Sequence, residues 1–377
     1  MPLTRLDISG YRSVRGLSLE LGPVNVIVGA NGSGKSNLYR ALSLLVAAAE
    51  GRLARTFAEE GGTPSTLWAG PRKRHESARV TVGVELGELG YELSCGVVPP
   101  TPKEGGIFDL DPEVKEERLW AWSGGRKVIL MERKDRTAFL REQGGARVRF
   151  PSELWSSESV LDQLGEPQRF PRLMEVQRQF RAWRFYHHFR TDMDAPMRQP
   201  QIGVRTPVLA HDGRDLAAAL QTILLIGDTR GLLDAVEDAF PGARLEIHRA
   251  KETRFAVLMH MPGLHRPMAA SELSDGTLRY LCLLAALMSP RPPPFLALNE
   301  PETSLHPDLL APLGRLIVKA SRHSQLWVTT HAEPLARVVA EGSGCEPVRL
   351  VKTEGATGVE GAHPLGLRAE EDAEDTE

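Results

Sequence analysis

Apolar spacing divides the chain into recognisable elements. Residues 3–9 and 17–29 read as strands, the second ending in the β-branched run Val24-Asn25-Val26-Ile27-Val28 behind Pro23. Residues 35–50 carry apolar positions at helical spacing. Between 78 and 150 the period changes to two. Arg79 to Leu86 alternates, Gly87 to Gly90 turns, Tyr91 to Val98 follows, and Lys127 to Met131 adds another strand. Pro99–Gly106 reads as a loop, as do Gly61–Pro64 and Gly70–Arg74. Residues 153–185 return to helical spacing, with Leu173, Val176, Phe180 and Trp183 on one stripe. Two more helices are predicted over 215–226 and 231–240, then a hairpin of 244–249 and 254–261 around Thr253. An apolar helix from about Leu278 to Met288 is stopped by Pro290, and short strands follow at Phe295–Leu298 and Gln325–Thr330.

Two places in this pattern carry chemistry. Between the strand at 24–28 and the helix at 35 lies Gly29-Ala30-Asn31-Gly32-Ser33-Gly34-Lys35-Ser36, a G-x-x-x-x-G-K-[ST] phosphate loop in its required strand–loop–helix setting. Glycines let consecutive N–H groups turn toward one anion, and the helix N-terminus adds partial positive charge. In such a loop Lys35 reaches the β- and γ-phosphates and the Ser36 hydroxyl ligates Mg²⁺. The chain is expected to bind a nucleoside triphosphate.

More than two hundred residues later, the strand Phe295–Leu298 runs into Asn299-Glu300-Pro301-Glu302, polar groups at the C-terminal end of a buried strand. Glu300 is suited to orient or deprotonate an attacking water, and Asn299 to hold Mg²⁺ through water. The strand Gln325–Thr330 ends in His331, a candidate γ-phosphate sensor. Between them, Ser274 reads as the N-cap of the apolar helix, with Gly276 leaving room for an anion.

In this order, with Leu273-Ser274-Asp275-Gly276-Thr277, Leu298 through Pro307 and Thr329-Thr330-His331, the motifs resemble the ABC-type ATPases of the RecF/SMC branch. The small RecF-like members without long coiled-coil arms are the most similar. Gly10-Tyr11-Arg12-Ser13-Val14 is similar to the family's first-strand turn beside the nucleotide. The resemblance implies an α/β fold: a P-loop NTPase head of ABC type with a mixed sheet, formed by 1–50 and 268–367. An inserted α+β lobe at 51–267 is expected, strand-rich over 78–150 and helical over 153–240. The resemblance also implies ATP and Mg²⁺ as cofactors, with Asn31, Gly32, Ser33, Gly34, Lys35, Ser36, Asn37, Arg12 and Ser13 around the nucleotide. In such heads two protomers sandwich two nucleotides. The Ser274 loop with Gly276 would contact the γ-phosphate held by the partner's Lys35, while Thr303 to Pro307 crosses the interface.

Three departures qualify those expectations. Asn299 stands where the family usually has Asp, so slow turnover or weak metal affinity is expected rather than inactivity, with Glu300 intact. Asp275 replaces a glycine of the usual signature and adds negative charge near the incoming phosphate. No glutamine loop is assigned, and Thr63 to Arg74 is where it would lie. No C-terminal nuclease domain is expected.

Composition changes this picture little. Three scattered cysteines, Cys95, Cys282 and Cys345, have neither metal-ligand spacing nor a disulfide pattern. The strongly apolar run Tyr280–Met288 is too short to span a bilayer, and residues 1–7 carry no signal-peptide pattern. A cytoplasmic protein without membrane association is expected. Net charge is −3, but 368–377 hold six acids against Arg368 and read as a disordered tail; the remainder has 45 basic and 43 acidic residues.

For a partner beyond a second copy, DNA is expected by analogy with RecF-like proteins, in recombinational repair or genome maintenance. The residues offered for it are the arginines at 169, 172, 178, 181, 184 and 190, interleaved with Phe180, Trp183, Phe185 and Tyr186, with Arg178, Arg181 and Arg184 the leading contacts. Arg72-Lys73-Arg74-His75 and Arg133-Lys134 are weaker candidates. One alternative is an ATPase that controls a partner effector or nuclease in defence against foreign DNA. Another is a small-molecule kinase on a non-ABC phosphate loop.

Overall fold

The computed structural model describes residues 1–72, 76–97, 107–150 and 153–361. The expected acidic tail, the loop at 99–106 and Lys73-Arg74-His75 lie wholly or mostly outside them. The chain forms two compact units.

The first unit comprises Met1–Gly22, Gly29–Ala182 and the residues from Arg349 on. An eight-stranded sheet runs in the order Val14–Glu20, Leu3–Tyr11, Arg79–Leu86, Leu89–Val97, Pro112–Ser123, Arg126–Lys134, Thr137–Arg141 and Arg147–Arg149. Every neighbouring pair is antiparallel. The period-two stretches thus become a meander whose apolar positions, such as Val80, Val82, Val84, Leu93 and Leu119, are buried. The helix Lys35–Ala49 packs on this sheet and against the helix Pro171–Ala182. Of the predicted stripe, Leu173, Val176 and Phe180 are buried within the second helix.

The meander corrects one nucleic-acid candidate. Arg133 lies on the buried face of its strand, fully covered, 3.7 Å from the equally buried Glu117. It donates to the carbonyls of Asp135, Glu158 and Trp155. Alternation turned Arg133 inward, where a charge persists only when paired.

The second unit comprises Pro23–Val28 and Trp183–Val348. Its centre is a parallel sheet in the order Arg184–Tyr186, Phe295–Asn299, Gln325–Thr330 and the strand that begins at Val24. All five residues of Phe295–Asn299 are buried, as a central parallel strand covered on both faces demands. Leu296, Leu298 and Val328 share one core with Leu281 and Leu284 of the helix Asp275–Leu287, Leu313 and Ile317 of Leu310–Ala320, and Leu335 and Val339 of Glu333–Ser343. The expected hairpin is Arg244–Lys251 with Arg254–His260, and the expected helix pair is Leu216–Ile226 and Thr229–Ala239. Helical character ends earlier than the spacing predicts. Arg184-Phe185-Tyr186 is a strand, paired residue for residue with Leu296-Ala297-Leu298, so pairing overrode a helical reading of an aromatic tripeptide. Among the described residues no helix is long and apolar enough to cross a membrane.

Candidate functional site

The phosphate loop belongs to the first unit. Its helix starts at Lys35 behind Gly34 and has no side-chain cap; the Asn37 amide donates to the Gly34 carbonyl at 2.9 Å, so the Lys35 and Ser36 amides are the first-turn donors left to a ligand. Lys35 is only 4% exposed, and its ammonium turns back onto the loop, donating to the carbonyls of Gly29 at 2.7 Å and Ala30 at 3.1 Å. In that posture the loop's own carbonyls satisfy the charge. Asn31 and Gly32 are exposed at the tip, Ser36 is half-buried, and the Ser33 hydroxyl is buried with no partner among the described residues.

A short polar network backs the loop. Thr357 Oγ1 donates to the Ser33 carbonyl at 2.9 Å and lies 2.7 Å from Ser13 Oγ. Asn37 Nδ2 donates to Ser13 Oγ at 2.8 Å, and the Thr357 amide to the Ser13 carbonyl at 2.7 Å. Gly34 is obligatory here on two counts. Its φ is +105°, and a Cβ would sit 2.1 Å from Thr357 Oγ1. Ser13 and Asn37 therefore brace the loop from behind, with Thr357, on the hairpin strand Ala356–Val359, a supporting residue that the motif did not reveal. Arg12 meets a different partner. Its guanidinium pairs with Glu60 at 2.8 Å, and the same carboxylate accepts from Tyr11 Oη at 2.6 Å. Burial beside Glu60 pushes the Tyr11 phenol well above its ordinary value.

The carboxylate edge belongs to the second unit. Register sets Asn299 beside Thr329, Thr329 beside Ile27 and Thr330 beside Val28, so three parallel strands end together. Asn299, Glu300, Glu302 and His331 gather at that edge, the end where open α/β sheets bind ligands. Glu300 takes a left-handed backbone, φ +46°, and the amide of this non-glycine residue is tied to Thr329 O at 2.8 Å. Arg279, from the helix Asp275–Leu287, donates to the Glu300 carbonyl at 3.1 Å. Burial lowers the Arg279 guanidinium below its usual range. His331 Nδ1 lies 4.0 Å from Glu300 and 3.2 Å from the buried Glu302.

Asn299 fits Mg²⁺ less well than the motif implies. It is 3% exposed, and both ends of its amide are taken: Oδ1 accepts from Thr329 Oγ1 at 2.7 Å, and Nδ2 meets His187 Nδ1 at 2.7 Å. Ser36 is half-buried in the first turn of its helix. Among the described residues no three His, Cys, Asp or Glu side chains gather as a metal site.

Ser274 caps its helix as expected, its Oγ accepting from the Thr277 amide at 3.1 Å. Gly276 is needed for close approach, since a Cβ would fall 2.6 Å from the Ser304 carbonyl. The added charge of Asp275 has a partner that sequence reasoning missed. Arg198, 6% exposed, donates to Asp275 at 2.5 Å and to the carbonyls of Ala270, Ser271 and Leu273 at 3.2, 3.3 and 2.8 Å. One buried guanidinium thereby shapes the whole turn before the helix and offsets the acid at its start.

The arginine stretch is largely spoken for. Arg169 pairs with Glu142 and Glu166, Arg172 with Glu175, Arg181 with Asp162 and Arg190 with Asp192. Arg178 is exposed, with its Nε on the Met174 carbonyl, and Arg184 donates to Trp183 O. Phe180, Trp183 and Tyr186 are buried, which removes them as stacking surfaces for bases. Hydrophobic burial claimed the aromatics first. In the expected glutamine-loop region, Thr63–Thr66 is a short helical turn and Leu67 bridges Tyr11.

Known proteins resemble the chain at three levels. A family model described as "AAA domain, putative AbiEii toxin, Type IV TA system" matches residues 24–336. Two proteins named DNA replication and repair protein RecF match over 46 residues, 12% of this chain. The one from Marinomonas sp. (strain MWYL1) is 54% identical there, and the one from Actinobacillus pleuropneumoniae serotype 5b (strain L20) 52%. Those stretches span only 12% and 13% of the relatives' own lengths. Among solved structures, an SMC head bound to the C-winged helix domain of ScpA is similar with a TM-score of 0.54 at 15% identity, over 95% of this chain and 97% of that one. An SMC head with an extended coiled coil, bound to the C-terminal domain of ScpA derived from Pyrococcus furiosus, gives 0.52 at 13% identity, over 95% of both. The fold is that of an SMC-head-like P-loop ATPase, and the chain belongs to this AAA-domain family.

Proposed function

We propose that the chain binds and hydrolyses ATP as a slow molecular switch, and that ATP joins two copies into a dimer that acts on DNA. The observation that carries this reading is the uncapped helix at Lys35, whose buried ammonium lies across a glycine loop of anion-binding form. Lys35, Gly32, Gly34 and the first-turn amides take the β- and γ-phosphates, and Ser36 takes Mg²⁺. When bound, the metal offsets charge on the phosphate oxygens. Glu300 orients the attacking water and accepts its proton as the water oxygen bonds to the γ-phosphorus and the bridging P–O bond breaks, releasing ADP and phosphate. The neutral Asn299, already held by Thr329 and His187, supports slow turnover.

Ser274 and Gly276 of one protomer meet the γ-phosphate seated on the partner's Lys35. A γ-phosphate bound from both sides favours the closed dimer, and hydrolysis removes that preference. DNA as the object, in repair or genome maintenance, is supported by the local similarity to proteins named for DNA replication and repair and by the exposed Arg178. A second reading, control of a partner effector protein, is favoured by the internal pairing of the arginines and by the family description.

The deciding experiment is Glu300→Gln with ATP, followed by size-exclusion chromatography with and without duplex and single-stranded DNA. Hydrolysis should fall about 100-fold or more and a dimer should be trapped. A variant that holds ATP but stays monomeric would remove the sandwich mechanism. DNA binding should require ATP and weaken steeply with salt as counterions are released. Absent or salt-insensitive binding would favour the effector reading.

A further inference from the structure

The turn that leads into the brace of the phosphate loop carries a cation engaged by an acid of its own unit. Arg12 adopts a left-handed backbone, φ +50°, uncommon for a residue with a side chain. The segment after the helix Leu53–Glu59 holds it there: the Arg12 amide donates to the Thr66 carbonyl at 2.8 Å, and the Arg12 carbonyl accepts from the Ala69 amide at 2.9 Å. That segment begins with Glu60, whose Oε2 accepts from Arg12 Nη2 at 2.8 Å and from Tyr11 Oη at 2.6 Å. The Arg12 and Glu60 side chains are 27% and 9% exposed. Part of the guanidinium is unspent, since Arg12 Nε is buried with no partner among the described residues. The next residue, Ser13, touches Asn37 and Thr357 behind the loop, so Arg12 is anchored one residue from the loop's support. Arg40, in the second turn of the loop's helix, acts electrostatically on the Tyr11 phenol that shares Glu60. Two guanidiniums and one carboxylate therefore neighbour that phenol.

We propose that Glu60 is an internal competitor for Arg12, binding its guanidinium in place of a nucleotide phosphate and so lowering the affinity of the loop for nucleotide. This competition rests on the reading of Gly29–Ser36 as a nucleotide seat. A guanidinium binds carboxylate and phosphate oxygens through the same N–H fork, so the two anions exclude each other there. Glu60 takes a single N–H of the fork, from Nη2, whereas a phosphate with Nε still unspent can take two in parallel and carries more charge. The backbone of Arg12 is fixed by Thr66 and Ala69, so the exchange needs only side-chain rotation. Apparent affinity then falls by the fraction of chains in which Glu60 holds Arg12.

Titration calorimetry with a non-hydrolysable ATP analogue reads the competition. Glu60→Gln keeps an acceptor for Tyr11 and Arg12 but removes the charge, and should tighten binding about fivefold. Arg12→Gln should weaken binding about tenfold. Adding Glu60→Gln to Arg12→Gln should change nothing further. A merely structural pair gives the opposite sign, because loosening the turn behind Ser13 weakens the seat. Unchanged or weaker binding by Glu60→Gln would therefore overturn the proposal. So would an Arg12 Nε–H signal, identified in ¹⁵N NMR by its loss in Arg12→Gln, that the analogue leaves unmoved in the unaltered protein. That second measurement needs no variant of Glu60. Failure of both the unaltered chain and Glu60→Gln to bind the analogue would overturn the nucleotide reading as well.

Discussion

The phosphate loop and the carboxylate edge solve the same problem, holding charged chemistry still, with opposite materials. The loop is backbone. Its anion seat is made of amides and glycine conformations, and the side chains behind it, Ser13, Asn37 and Thr357, touch one another more than they face outward. The edge is side chain. Asn299, Glu300, Glu302 and His331 are each set by a partner from another element, namely His187, Arg279, Thr330 and one another. A backbone seat tolerates no added atom, whereas a side-chain site tolerates substitution but depends on distant partners.

The sharpest test of the contrast is one methyl group. Gly34→Ala places a Cβ 2.1 Å from Thr357 Oγ1 at a backbone angle that L residues avoid. It should weaken ATP binding about 100-fold or more by calorimetry and destabilise the protein by about 2 kcal/mol or more. A variant that binds ATP normally would mean that the loop is softer than its contacts imply. Next, Arg198→Met strips the turn before Ser274 of its organiser. A loss of about 2–3 kcal/mol in urea unfolding is expected, dominated by buried carbonyls left without a donor, because Asp275 is 60% exposed. Unchanged stability would show that the turn holds itself.

Thr357→Val should cost about 1 kcal/mol, since it removes the hydroxyl that binds Ser33 and Ser13, and Thr357→Ser should restore it. Asn299→Asp should lower the Mg²⁺ concentration for half-maximal hydrolysis by about threefold, about 0.7 kcal/mol. Unchanged Mg²⁺ dependence would place the metal away from residue 299. The smallest effect concerns the turn itself. Arg266 and the Ala269 amide hold Glu272 down at about 2, against 4.5 ordinarily. A depressed folded value stabilises above the unfolded one and fades as pH falls through the folded one. Amide exchange at Ala269 should therefore quicken, relative to its intrinsic rate, between about pH 4.5 and 2, and Glu272→Gln should flatten that rise.

Legibility followed the same division. The loop was readable because eight consecutive residues and their flanking strand and helix carry the whole signal. Ser274, Glu300 and His331 were readable as element ends, and register then brought the strand ends together. Their supports were not. Arg198 lies 77 residues before Asp275, and His187 lies 112 before Asn299. Pairing at that separation leaves no local pattern. Two signals were present and missed. The alternation Met131, Arg133 already turned Arg133 inward, and Arg184-Phe185-Tyr186 has the aromatic content of a strand.

The bond from Thr357 to Ser33 spans 324 positions of the chain. During synthesis the octapeptide leaves the ribosome long before the residue that locks it, so the nascent chain carries the full nucleotide motif without its brace. A half-made chain therefore carries the octapeptide without the hydroxyl that fixes the Ser33 carbonyl.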